Sequence, residues 1–273
     1  MFSEVTLSGV GVHTGSPCRV AISPAPPGTG VAFETESGTV LASPHTLAAD
    51  SRRATDLVDG EARARTVEHL MAALSWLGET DVRVRLHGPE IPALDGSSAP
   101  WLEALIEAGA APGPRWVIPS SVASVELDGG ERASMSPLDD GEEPSIRVRL
   151  DFGPGPIGRQ ECRFGLDSGD FSEEVAPARS FASEREVDGL RRAGLGLGGS
   201  LDNALVLGED GPLNPGGYRL PEEPARHKIL DAMGDLFLLG GLPRARIDLF
   251  KPGHRLVHAL VRRAETGPDV RNR

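Results

Sequence analysis

Two stretches of the chain carry apolar residues at helical spacing, and each stops at glycine. From Thr66 to Leu77 the apolar positions are Leu70, Ala73, Leu74 and Leu77, followed by Gly78. From about Pro224 to Leu239 they are Ile229, Leu230, Met233, Leu236 and Phe237, followed by Gly240-Gly241. Both read as helices with a glycine stop. A strand follows each helix, because Asp81 to Leu86 and Arg244 to Phe250 alternate apolar and polar residues with period two. Further predicted strands are Ser121 to Leu127, Ser145 to Phe152 and Arg159 to Phe164; Pro24 to Gly30 reads as a turn or loop, and the tail from Thr266 as frayed. The recurring order of helix, glycine stop and strand predicts two similar α/β domains, residues 1–113 and 114–273, joined at Pro112-Gly113-Pro114.

A chain of 273 residues with 39% hydrophobic and 25% charged content is a folded globular protein with room for one large core or two ordinary ones. Its formal net charge of -12 argues against a nucleic-acid binder and leaves a small molecule as the expected partner. Cys18 and Cys162 are the only cysteines, too few for a disulfide framework or a Cys-based metal site. A reducing cytoplasm fits, and any metal must use His and carboxylates. No secretory signal is visible, and no apolar run is long enough to cross a bilayer, so membrane contact is expected to be peripheral at most.

The second helix carries the candidate chemistry. Steps of four place His227, Asp231 and Asp235 on one stripe, where an imidazole and a carboxylate one turn apart can grip a Zn²⁺ ion. An isolated His-x-x-x-Asp run is more often a solvated helix face, so a further ligand is needed. The first helix offers one. Glu68-His69 stands at its start, where His69 can complete a His69, His227, Asp231 set and Glu68 can reach a water on the metal. The lysines point to the same region. Of 28 basic residues only Lys228 and Lys251 are lysines, so these two are expected where a compact ammonium is required. Lys228 adjoins His227, and Lys251 opens the turn Lys251-Pro252-Gly253-His254.

Seven ordered motifs resemble the UDP-3-O-acyl-N-acetylglucosamine deacetylases, zinc amidases of lipid A biosynthesis. They are Gly9 to Gly15, Thr66 to Leu70, Glu90 to Ser97, Ala178 to Phe181, Leu197 to Ser200, Arg226 to Asp235, and Gly253-His254, and they span nearly the whole chain. The resemblance implies an α+β fold of two similar domains, each a sheet with helices on one face, the helices being sandwiched between the two sheets. It implies zinc at the domain junction on His69, His227 and Asp231, with Glu68 as base and His254 as the cationic partner. Asp235 would orient His254, and the Ser180 hydroxyl would stand where threonine is common. Phe181, Glu186, Lys228 and Lys251 are implied substrate contacts. An insert at about 182–199 would help form an apolar passage for an acyl chain, with Val187, Leu190, Leu195 and Leu197 as candidate lining. The implied substrate is an acylated UDP-amino sugar, and the implied state a cytoplasmic monomer. Departures are a leading strand expected to be shortened, a short arginine-rich end after Leu260, and Asn203 where some members carry cysteine. Two alternatives stay open from the residues alone: a deacetylase of another acylated amino sugar, or a non-catalytic zinc or nucleotide-sugar binding protein.

Overall fold

The computed structural model describes residues 2–264 and 266–268. The described chain is a mixed α/β protein with six α-helices and several sheets, two of them five-stranded. The first large sheet has the order Val5–Val10, Pro17–Pro24, Val82–His87, Val31–Thr35, Gly38–Leu41. The second has the order Ala123–Glu126, Arg132–Pro137, Ala245–Phe250, Ser145–Asp151, Arg159–Gly165. In each, the central strand comes last in sequence. In each it pairs antiparallel with one neighbour and parallel with the other.

The alternation that predicts these central strands is what buries them. Val82, Val84 and Leu86 point inward while Arg83, Arg85 and His87 face water, and Ala245, Ile247 and Leu249 repeat the pattern. The leading strand Val5–Val10 pairs along its whole length with Pro17–Pro24. The predicted loop after Pro24 is present as a turn around Thr29, whose amide donates to the Pro26 carbonyl. The tail expectation is corrected in part. Thr266–Pro268 pair antiparallel with Trp116–Pro119, because that short strand leaves an edge free to accept them; the rest of the tail lies outside the described residues.

Helix α1 (Glu68–Leu77) and helix α5 (Glu223–Leu236) are the predicted pair, the first starting two residues later than Thr66. Helix α2 (Ala99–Glu107) packs on α1, and α3 (Phe171–Glu174) is a single turn. Helix α4 (Glu184–Arg192) occupies the expected insert, and α6 (His254–Arg263) packs across Ala123–Glu126 and Arg132–Pro137. Gly78 ends α1 in a left-handed conformation with φ 67°, and a Cβ there would lie 2.0 Å from the Gly113 carbonyl oxygen. The Pro112-Gly113-Pro114 segment therefore lies against the end of α1, where the Gly113 amide donates to the Trp76 carbonyl.

Helices α1 and α5 cross in direct contact, and one residue sets how close they come. A Cβ on Gly234 would lie 2.1 Å from the Glu68 carbonyl oxygen. Only glycine lets the first turn of α1 rest on the backbone of α5 between Asp231 and Asp235. Burial of Leu70, Leu74, Ile229, Leu230 and Met233 at this seam supplies the hydrophobic drive.

Candidate active site

Thr66 turns the chain into α1 with φ 58°, a costly conformation for a β-branched residue. Two buried carboxylates hold it there. Its amide donates to Asp56 Oδ1 at 3.2 Å and its hydroxyl to Glu90 at 2.8 Å. Glu90 is fully buried and also accepts the amides of His13 and Thr14, and a Cβ on Gly11 would lie 2.3 Å from its carboxylate. The Gly9 to Gly15 and Glu90 motifs thus brace the start of α1. At the other side of the seam, Arg179 and Glu223 form a buried ion pair at 2.7 Å that anchors the start of α5.

On this frame His69, His227 and Asp231 come together. Their ligand atoms all lie within 4.8 Å of one another, and all three side chains are buried. His227 donates from Nδ1 to the Ala178 carbonyl at 3.0 Å, which leaves Nε2 as a lone pair. Burial presses this imidazole down to about 3, so it is neutral. Its Nε2 nevertheless faces Asp231 Oδ1 at 3.2 Å, and His69 Nε2 lies 3.7 Å from the same oxygen. That oxygen is buried and has no hydrogen-bond partner. An orphaned carboxylate oxygen facing the lone pair of a neutral imidazole is unfavourable unless a cation lies between them, so the donor set fits a divalent metal. The other oxygen, Oδ2, accepts Lys228 Nζ at 2.7 Å. Burial opposes ionisation of Asp231, but its contacts with His227 and the nearby charges of Lys228 and His254 outweigh it and hold the carboxyl well below its usual range.

Glu68 and His254 flank this set. Burial raises the Glu68 carboxyl, with His254 and His69 opposing. Burial would lower His254, yet Asp235, Asp231 and Glu68 raise it to about 9, so it is cationic at neutral pH. His254 Nε2 lies 3.7 Å from Glu68 Oε1 and 3.7 Å from Asp231 Oδ2, and its Nδ1 donates to Asp235 Oδ2 at 2.9 Å. Burial also opposes ionisation of Asp235, but His254 and His258 overcome it and keep this residue an anion.

A cavity of about 870 Å³ opens over these groups. Glu68, His69, His227, Asp231 and His254 form its polar end, and Phe181, Val187, Leu190 and Val206 supply apolar lining. Ser180 also lines it, with its Oγ 3.4 Å from His69 Nε2. The Phe181 ring stands edge-on to His227 and takes Lys228 Nζ 5.4 Å from its centroid. Glu186 caps α4 and pairs with Arg53 at 2.8 Å, both residues lining the cavity.

Not every sequence candidate arrives here. Lys251 does not line the cavity; it sits in a turn with φ 51°, its ammonium 5.5 Å from the Phe250 ring centroid. Of the four expected passage residues Val187 and Leu190 line the cavity, but Leu195 and Leu197 do not. The reason is backbone pairing: the Leu197 and Gly198 amides donate to the His13 and Val12 carbonyls, which docks this segment on the glycine motif. Asn203 also turns away, holding the loop through Gly198 and Ser200. Sequence reasoning missed Thr55 and His258. Among the described residues Asp235, His254 and His258 form a second cluster of potential ligand atoms, and Thr55 sits at its centre. The step of four from His254 to His258 is the spacing that singles out His227 and Asp231, so that signal was present. Thr55 has no such signature.

A family model described as UDP-3-O-acyl N-acetylglycosamine deacetylase matches residues 1–265. A UDP-3-O-acyl-N-acetylglucosamine deacetylase of Myxococcus xanthus (strain DK1622) is 41% identical over 276 residues, covering 97% of this chain and 85% of the relative. That of Anaeromyxobacter sp. (strain Fw109-5) is 38% identical over 269 residues, covering 97% and 87%. A third, from Thermosynechococcus vestitus, is 39% identical over 262 residues, covering 93% and 89%. With a match over nearly its whole length and relatives well above 30% identity, the chain belongs to the UDP-3-O-acyl N-acetylglycosamine deacetylase family.

Proposed function

We propose that this protein hydrolyses the N-acetyl group of UDP-3-O-acyl-N-acetylglucosamine, releasing acetate in lipid A biosynthesis, with zinc held by His69, His227 and Asp231. The observation that carries the reading is the partnerless Asp231 Oδ1 between two imidazoles, with Glu68 and His254 beside it in one cavity. Two imidazoles and a carboxylate are the ligand set of an open catalytic zinc site, and the bound ion supplies Lewis acidity toward water and the amide carbonyl. Glu68, raised by burial, takes the proton of the attacking water as it adds to the acetamide carbon. Ser180 donates its hydroxyl to the developing oxyanion. His254, a cation up to about pH 9, delivers a proton to the departing nitrogen as the C–N bond breaks, and Asp235 keeps its ring oriented. Lys228 holds Asp231 Oδ2 and, with Phe181 and Glu186, meets the nucleotide sugar, while the apolar lining takes the acyl chain.

The reading includes two like domains, residues 1–113 and 114–273, whose helices lie between the sheets. The shared strand order of the two large sheets supports it. It also includes a cytoplasmic monomer. No described helix is long and apolar enough to cross a membrane. The test is release of acetate from UDP-3-O-acyl-N-acetylglucosamine by purified protein, with and without chelator and zinc re-addition. Turnover that survives complete metal removal, or activity only on a different amino sugar, would overturn it.

A further inference from the structure

Thr55 precedes the short strand Leu57–Asp59, and its amide and hydroxyl are both used inside the site. Its amide donates to Glu68 Oε2 at 2.9 Å. Its hydroxyl contacts three groups at once: Asp235 Oδ1 in a short bond, His258 Nε2 at 2.8 Å and His254 Nδ1 at 3.1 Å. A hydroxyl has one proton, and a carboxylate can only accept, so that proton belongs to Asp235. The oxygen then has lone pairs left for a donor, and His258 Nε2, carrying its hydrogen, fills that place. His254 Nδ1 gives its hydrogen to the nearer Asp235 Oδ2 at 2.9 Å. The result is a directed chain from His258 through Thr55 to Asp235, closed by His254. Every link is buried or nearly so: Thr55 is 1% exposed, Asp235 0% and His258 4%.

Without a donor from His258 the Thr55 oxygen is free to accept from His254 instead, 3.1 Å away. The imidazole would then have two competing acceptors on one nitrogen, and its Nε2 would swing relative to Glu68 and Asp231. Removing a partner from a buried polar network also leaves its neighbour unsatisfied.

We propose that Thr55 and His258 are positioning residues: His258 commits the Thr55 hydroxyl to Asp235, and Thr55 thereby aligns His254 while its amide aligns Glu68. The inference rests on the deacetylase reading for its kinetic arm alone. His258→Leu should lower kcat about tenfold or more with KM changed less than about twofold and the metal retained. His258→Gln, whose amide nitrogen can reach the same hydroxyl, should recover most of that loss. Thr55→Val should behave as His258→Leu, and Thr55→Ser as wild type. The second arm needs no substrate. In ¹⁵N-histidine-labelled metal-loaded protein, the His254 Nδ1–H resonance should be sharp and downfield in wild type and in His258→Gln, and shifted or lost in His258→Leu and Thr55→Val. If His258→Leu fails to fold, the Thr55 pair carries the decision. An unchanged resonance, or equal kcat in Thr55→Val and Thr55→Ser, would overturn the proposal. Inactive wild-type protein with the expected spectral changes would instead count against the substrate.

Discussion

Replacing Gly234 by alanine is expected to loosen the metal site without touching a ligand. In an unconstrained helix this change stabilises by about 1 kcal/mol, because alanine is the better helix former. Here the new Cβ would lie 2.1 Å from the Glu68 carbonyl oxygen, 2.9 Å from its carbon and 3.0 Å from its Cα. All three atoms are backbone, so no side chain can rotate away. Reaching ordinary contact at 3.4 Å requires the start of α1 to move by 3.4 minus 2.1, about 1.3 Å, along that contact. Metal-ligand distances tolerate only about 0.2 Å. His69 rides on α1 while His227 and Asp231 ride on α5, so a shift of that size takes one ligand out of range of the others. Overpacking costs roughly 1–3 kcal/mol, so net destabilisation after the helix gain is up to about 2 kcal/mol, a fall in Tm of up to about 8 °C. Metal affinity should drop at least about tenfold, the loss seen when a support of a ligand is disturbed. Competition with a chromophoric chelator measures the affinity, and thermal melts of metal-free and metal-loaded protein measure the rest. Gly189→Ala in α4 is the control, since nothing lies within 4 Å of its Cβ. Wild-type metal affinity together with an unchanged or higher Tm in Gly234→Ala would refute the reasoning.

Alanine at His69, His227 or Asp231 should abolish metal retention, and stoichiometric zinc in His69→Ala and His227→Ala by elemental analysis would remove them from the ligand set. Glu68→Gln and His254→Gln should each lower kcat by on the order of 10² with the metal still bound. The wild-type profile should rise as Glu68 deprotonates above the ordinary carboxylate range and fall near pH 9 as His254 loses its proton, and His254→Gln should lose the falling limb. A raised histidine stabilises the metal-free fold below its ordinary 6.5, with loss as pH rises through about 9, so the chelated protein should melt earlier at pH 10 than at pH 6, more so than His254→Gln does. Lys228→Arg should impair kcat/KM by about 1–2 kcal/mol, since a planar head cannot both hold Asp231 Oδ2 and sit over Phe181; Lys251→Arg, outside the cavity, should be near neutral.

Periodicity reveals the elements that carry the proposed metal ligands because α1 and α5 are buried on a strongly apolar face, with glycine closing α1 at Gly78 and the short turn after α5 at Gly240. It misses α6, where Gly253-His254 reads as a turn although it starts a helix. It also misses the first two strands, whose glycine and proline obscure the alternation. Local spacing can place groups on one stripe, as for His227, Asp231 and Asp235. It cannot say which loop crosses that stripe, and so Thr55 stays hidden. Lysine scarcity flags Lys228 and Lys251 equally, because composition has no direction in space. Only the backbone turn at Lys251 separates them.

With the proposed ligand set split across it, the seam between α1 and α5 would also govern how long the folded protein lasts. His69 and His227 stand far apart in the chain, so the two sides of the ligand set meet only after the helices dock. A metal that needs both sides cannot speed the search for the fold; it can only slow its loss. Saturating metal, at a thousandfold excess over Kd, adds roughly 4 kcal/mol to the native state, and nearly all of that falls on the unfolding rate. In a metal-starved cell the chain would form as quickly as before and persist for less time against proteases. The abundance of the protein would then report metal supply, with no dedicated sensor.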